Sequence, residues 1–125
     1  MIHGIGTDIV AVARMRDALE RHGERFAARI LAEGERAAWA ESRDPARFLA
    51  KRFAAKEAFG KALGTGVAAP ATLHAVAVGH DGRGKPLFEY DERLAAHMAE
   101  HRLSAHLSLA DEVDHVVAFA VIEKT

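Results

Sequence analysis

The chain has 125 residues, half of them hydrophobic, which suits one compact α+β domain spanning 1–125 and is too short for two. Seventeen Lys and Arg against eighteen Asp and Glu leave it near neutrality, so bulk charge gives no reason to invoke a nucleic acid or a membrane surface, and no apolar run nears the length of a membrane span. With no cysteine there are no disulfides, thiolate metal sites or Cys nucleophiles, and with no basic segment ahead of a long apolar run at the N-terminus a soluble, cytoplasmic protein is expected.

Residues 2–10 are β-branched and apolar around two glycines and predict a strand. Val12, Met15 and Leu19 then recur at helical spacing until Gly23 stops the run. Residues 24–42 predict one or two short helices anchored by Phe26, Ile30, Leu31 and Trp39, with a break near Gly34. Asp44-Pro45 supplies an N-cap and a proline at the first helical position, and the helical pattern persists to Gly64-Thr65-Gly66. After a loop holding Pro70, Leu73–Val78 alternates as a strand, Asp81–Pro86 forms a turn, and Leu87–Tyr90 predicts a second short strand. Residues 92–101 predict a small helix with Leu94 and Met98 inward. Leu103 to Leu109, alternating with Ser104, His106 and Ser108, pairs with the run Val116–Ile122 as an antiparallel hairpin. Helices mixed with hairpins argue for a long central helix packed on an antiparallel sheet rather than a doubly wound parallel one.

The long helix carries charges in unusual places. At about 100° per residue, Phe48, Phe59, Leu63, Leu49 and Phe53 share a broad apolar arc that also holds Arg52 and Lys56. The opposite arc is lined by Ala50, Ala54 and Ala58 beside Glu57 and Lys61, so the helix is expected to be surrounded, where charges need partners or a ligand. Glu57 and Lys61 are also four apart in the order that favours a solvated helix ion pair, and spacing leaves both readings open. Asp8 inside an apolar strand is either a bond to a neighbouring turn or a metal ligand. Gly64-Thr65-Gly66 and Gly82–Pro86 are each a turn or a phosphate contact. His97 and His101 have the spacing of two zinc ligands without a third in view. His106, with Ser104 and Ser108, lies on a polar strand face that meets either a ligand or water.

GIGTDIV at 4–10, RFLAKRFAAKEAFGKALGTG at 47–66, GKP at 84–86 and HLSLADE at 106–112 together resemble the holo-acyl-carrier-protein synthases, a family of phosphopantetheinyl transferases. The likeness spans nearly the whole chain. It implies transfer of 4'-phosphopantetheine from coenzyme A to a serine of apo acyl carrier protein, with release of adenosine 3',5'-bisphosphate, in fatty acid biosynthesis. It implies Mg2+ held by Asp8 and Glu57, with Glu57 also taking the serine proton and Lys61 steadying the phosphate charge. Coenzyme A contacts are implied at Arg52, Gly64, Gly66, Gly84, Lys85, Pro86 and His106. Arg14 stands where the family's docking arginine does, and Arg21 and Arg25 fall near the same line on an ideal helix. The family forms homotrimers with sites at subunit boundaries. Three other readings stay open: a non-catalytic coenzyme A module, which would need no carboxylate pair, an oligomeric structural domain, and a metal-dependent hydrolase of coenzyme A.

Overall fold

The computed structural model describes residues 1–125. In chain order the elements are β1 (Ile2–Ala11), α1 (Val12–His22), α2 (Glu24–Ile30), a single 3-10 turn (Glu33–Glu35), α3 (Arg36–Ala40), α4 (Pro45–Leu63), β2 (Val76–His80), β3 (Pro86–Tyr90), α5 (Glu92–Glu100), β4 (Leu103–Asp111) and β5 (His115–Lys124). The fold is α+β, with an antiparallel sheet of order β1-β5-β4 under α4 and a separate β2-β3 ribbon.

α4 forms where the local signals put it. The Asp44 carboxylate accepts from the Arg47 N–H at 3.2 Å, and Gly64 closes the helix in the left-handed conformation at φ 94°, which a side chain would strain. Its alanines let neighbours approach from all sides: Leu49, Ala50, Ala54, Ala55, Ala58 and Phe59 are fully buried. Phe59 meets Phe88 edge-on with centroids 4.9 Å apart, a burial that contributes about 1.5–3 kcal/mol. From the sheet, Val116, Ala118, Ala120 and Ile122 of β5 face inward at strand period, while Val117 and Phe119 between them face out.

β1 lies so close on α4 that Gly6 has no room for a side chain: a Cβ there would sit 2.1 Å from the Ala58 carbonyl oxygen. Gly6→Ala is therefore expected to push β1 off the helix and cost about 1–3 kcal/mol, read as a lower urea midpoint. An unchanged midpoint would mean that the strand is not clamped there.

The strand expected from Leu73 starts only at Val76. The Ala75 and Val76 N–H groups both donate to the Thr72 carbonyl, at 3.1 and 3.3 Å, and this turn takes residues 73–75 out of the ladder. Alternation of apolar residues could not distinguish that turn from an extended run.

Candidate functional site

Asp8 belongs to the inner face of β1, since it pairs with buried Ala118 of β5. α4 runs past it with Glu57 and, one turn on, Lys61. The Lys61 ammonium crosses to the strand, donating to the Thr7 carbonyl at 2.9 Å and approaching Asp8 Oδ1 at 3.4 Å. The solvated Glu57–Lys61 helix pair is thus not what forms. Burial pushes the Glu57 carboxyl above its usual range, and the negative charge of Asp8 pushes it further, against the pull of Lys61 and Arg14. The Asp8 and Glu57 carboxylates supply hard oxygen donors, and a divalent cation would relieve the repulsion that the Asp8 charge exerts on the half-buried Glu57, so the pair fits Mg2+. A shallow depression lined by Thr7, Asp8, Ile9, Lys61 and Val117 opens beside them.

α1 leaves β1 without a loop and carries Arg14 to within 5.9 Å of the Phe53 ring. Arg14 and Arg29 wall an apolar cavity of about 280 Å³ with Met15, Phe26, Phe53 and Leu73. Arg14, Arg21 and Arg25 are all exposed, and none makes an ion pair. Gly23 at φ 61° ends α1, as its place in the sequence suggests, so Arg14 and Arg21 share α1 while Arg25 belongs to α2.

A second group lies at the β4 edge. Gly84, Lys85 and Pro86 form one wall of a cleft of about 440 Å³ that Lys51, His80 and Ser108 complete. Nothing in the sequence singles out Lys51 and His80, since no spacing links position 51 of a helix to position 80 of a strand. Lys51 is held 2.9 Å from Asp111, which Arg47 also engages, so these three side chains keep a net positive charge. The 81–85 segment is a turn in its own right: Asp81 Oδ1 accepts from the Arg83 and Lys85 N–H groups at 2.8 and 2.9 Å. What reaches the cleft is the shape of the turn and the Lys85 side chain, not spare backbone donors. His106 is half exposed on the outer face of β4, its Nε2 2.8 Å from Glu123 Oε1.

Three expected contacts are corrected. Arg52, expected against coenzyme A, is 8% exposed, and its NH1 donates to Glu35 Oε2 at 2.8 Å and to the Val78 carbonyl. Lys56 beside it donates to Glu35 Oε1 at 2.6 Å and to the Ile30 and Leu73 carbonyls, each at 2.7 Å. These cations answer a buried carboxylate instead of a ligand. Glu35 also accepts from the Ala32 and Val78 N–H groups. Burial opposes its charge, yet Lys56 and Arg52 hold its carboxyl below the usual range, while the same burial pushes Lys56 down from its ordinary value. Gly64 and Gly66 offer no anion cradle either: the N–H groups of Gly64, Thr65 and Gly66 all converge on the Gly60 carbonyl, at 3.0, 3.2 and 3.0 Å. The helix-stop reading is the one that the fold realises.

Asp8 and His106 lie on opposite faces of the sheet. Asp8 is on β1 and inward, whereas His106 points outward from β4, level with Val121 of β5 and, beyond it, Ile5 of β1, so that β5 stands between the two strands. His97 and His101 stack with ring centroids 4.3 Å apart, and no cluster of three or more His, Cys, Asp or Glu side chains accompanies them.

The family model of the 4'-phosphopantetheinyl transferase superfamily matches residues 4–120. The chain is 76% identical over 123 residues to the holo-[acyl-carrier-protein] synthase of Azoarcus sp. (strain BH72), covering 98% of each. It is 75% identical to that of Aromatoleum aromaticum over 99% of each. Among solved structures, the holo-[acyl-carrier-protein] synthase of Neisseria meningitidis matches with a TM-score of 0.95 at 45% identity, over 99% of this chain and 100% of that one. A holo-(acyl-carrier-protein) synthase of Bacillus anthracis in complex with CoA (3',5'-ADP) matches with a TM-score of 0.83 at 34% identity, over 100% and 99%.

Proposed function

The chain belongs to the 4'-phosphopantetheinyl transferase superfamily, and on that footing we propose that it moves the 4'-phosphopantetheine group of coenzyme A onto a serine of apo acyl carrier protein in the cytoplasm, in support of fatty acid biosynthesis. The observation that carries the reading is the convergence of Asp8, Glu57 and Lys61 on the β1–α4 seam. The serine oxygen attacks the phosphorus next to pantetheine, the bond from that phosphorus to the bridging oxygen breaks, and the oxygen leaves on adenosine 3',5'-bisphosphate. Glu57, pushed above the usual carboxylate range, is suited to accept the serine proton. Lys61 stands ready to steady the charge of the departing phosphate. Asp8 and Glu57 would hold Mg2+, which when bound neutralises the pyrophosphate. Lys51 and Lys85 give the second cleft the positive charge, and His80 a ring nitrogen, for the remaining phosphate of the same donor.

A neighbouring copy brings the two groups together in this reading. The outer face of the sheet exposes Ile5 and Ile9 at 61% each, Phe119 at 39% and Val117 at 37%, an apolar surface that a homotrimer would cover. If Glu57→Ala and His106→Ala chains are unfolded together and reassembled, some boundaries will pair an intact Glu57 with an intact His106, and activity at coenzyme A well below its KM is expected to exceed that of the two parents. Mixed assemblies, seen by native mass spectrometry, that recover nothing beyond the two parents would refute the shared site.

The reading is tested by mass spectrometry of an apo carrier protein incubated with this protein, coenzyme A and Mg2+. One added phosphopantetheine is expected, lost in EDTA and restored by Mg2+. Hydrolysis of coenzyme A without carrier modification would overturn it. Carrier proteins are acidic, so Arg14→Glu is expected to raise KM for the carrier at least about tenfold while KM for coenzyme A stays within about twofold. Equal damage to both would remove Arg14 from the docking surface.

A further inference from the structure

Glu123 lies outside both groups of site residues. It stands on β5 opposite Ser104 of β4, so its side chain leaves the sheet on the outer face, diagonal to His106. Its Oε1 lies 2.8 Å from His106 Nε2, and the two side chains are 44% and 52% exposed. An ion pair this open adds little to folding stability. Its consequence lies in the geometry of the ring.

An ionised carboxylate has no proton to give, so the contact requires Nε2 to be the N–H. The ring is then held by one nitrogen, and Nδ1 alone is left for a ligand. An anionic group is met at Nδ1 only when that nitrogen also carries a proton, and the ring then bridges two anionic groups through its two nitrogens. We propose that Glu123 is a positioning residue that, by accepting from His106 Nε2, turns Nδ1 of that ring toward an anionic group of coenzyme A. The inference rests on the assignment of His106 to coenzyme A. A ring already aligned loses less freedom when the donor binds, so the gain falls on affinity and not on the chemical step.

Steady-state kinetics of the full chain with apo carrier protein test this. Glu123→Ala is expected to raise KM for coenzyme A about fivefold, the scale of one oriented hydrogen bond, with kcat within about twofold. Glu123→Gln keeps an acceptor oxygen and is expected to restore most of the loss. His106→Ala should raise KM at least as far, and adding Glu123→Ala to it should change nothing more, because Glu123 acts only through the ring. Multiplying effects in the double variant overturn the proposal, as does a normal KM in Glu123→Ala where His106→Ala is impaired. A normal KM in His106→Ala instead removes His106 itself from coenzyme A. Should Glu123→Ala fail to fold or assemble, 15N spectra of the wild-type His106 ring decide: a proton on Nε2 is expected, and one held only on Nδ1 overturns the proposal.

Discussion

Glu57→Gln is expected to lower kcat for phosphopantetheine transfer by about 10³-fold or more, within the range of a lost general base, and to leave the fold intact. The amide keeps the shape of the side chain but can neither take a proton nor offer a full negative charge to Mg2+. The same substitution is expected to leave stability unchanged or raised. Burial and the Asp8 charge hold the Glu57 carboxyl above its ordinary range, so the folded state binds that proton more readily than the unfolded one. In metal-free protein the charge therefore works against folding, and its cost grows as pH rises from the ordinary carboxylate value through the raised one. Urea midpoints measured in EDTA across that window should fall in the wild type relative to Glu57→Gln. Turnover above a tenth of the wild type would remove Glu57 as the base, whatever the stability result.

Glu35→Ala is expected to destabilise the protein by about 3–5 kcal/mol, which is a large part of the roughly 5–15 kcal/mol typical of a domain. It leaves the ammonium of Lys56, 1% exposed, and the guanidinium of Arg52 without their carboxylate. The network joins α4 to the 3-10 turn, to the end of α2 and to β2, so its loss loosens several elements at once. Glu35→Ala/Lys56→Met should recover part of the loss, since the second change removes the orphaned charge. Chemical denaturation with unchanged slope measures both. A cost under about 1 kcal/mol for Glu35→Ala would show that water reaches the cations and that the network is not sealed. The linkage has the opposite sign to that of Glu57: two cations hold the Glu35 carboxyl below its usual range, so its contribution is present at neutral pH and is lost as pH falls through the lowered value.

The segments with strong local signals are legible in the order of the amino acids alone. Asp44-Pro45 and Gly64 mark both ends of α4, two-residue alternation marks β4, an unbroken apolar run marks β5, and Gly23 marks the end of α1. These are effects of neighbours within a few residues, where capping, glycine conformation and side-chain period act without tertiary help. The motifs at 4–10 and 47–66 likewise carry the family, and Asp8 is named from the first and Glu57 and Lys61 from the second.

What those residues do to one another is decided only in three dimensions. Spacing allows Lys61 to pair along its helix with Glu57, and the fold sends it to Thr7 and Asp8 because glycines 4 and 6 let β1 lie directly on α4. Arg52 and Lys56 resemble ligand contacts because a helical wheel shows a buried cation but not its partner, and Glu35 lies 17 and 21 residues away. The cleft of Lys51, His80, Lys85 and Ser108 draws on one helix, two strands and a turn. A periodic pattern reports which face of an element is buried, whereas the match of a charge to its counter-charge depends on distances that only the packed chain sets.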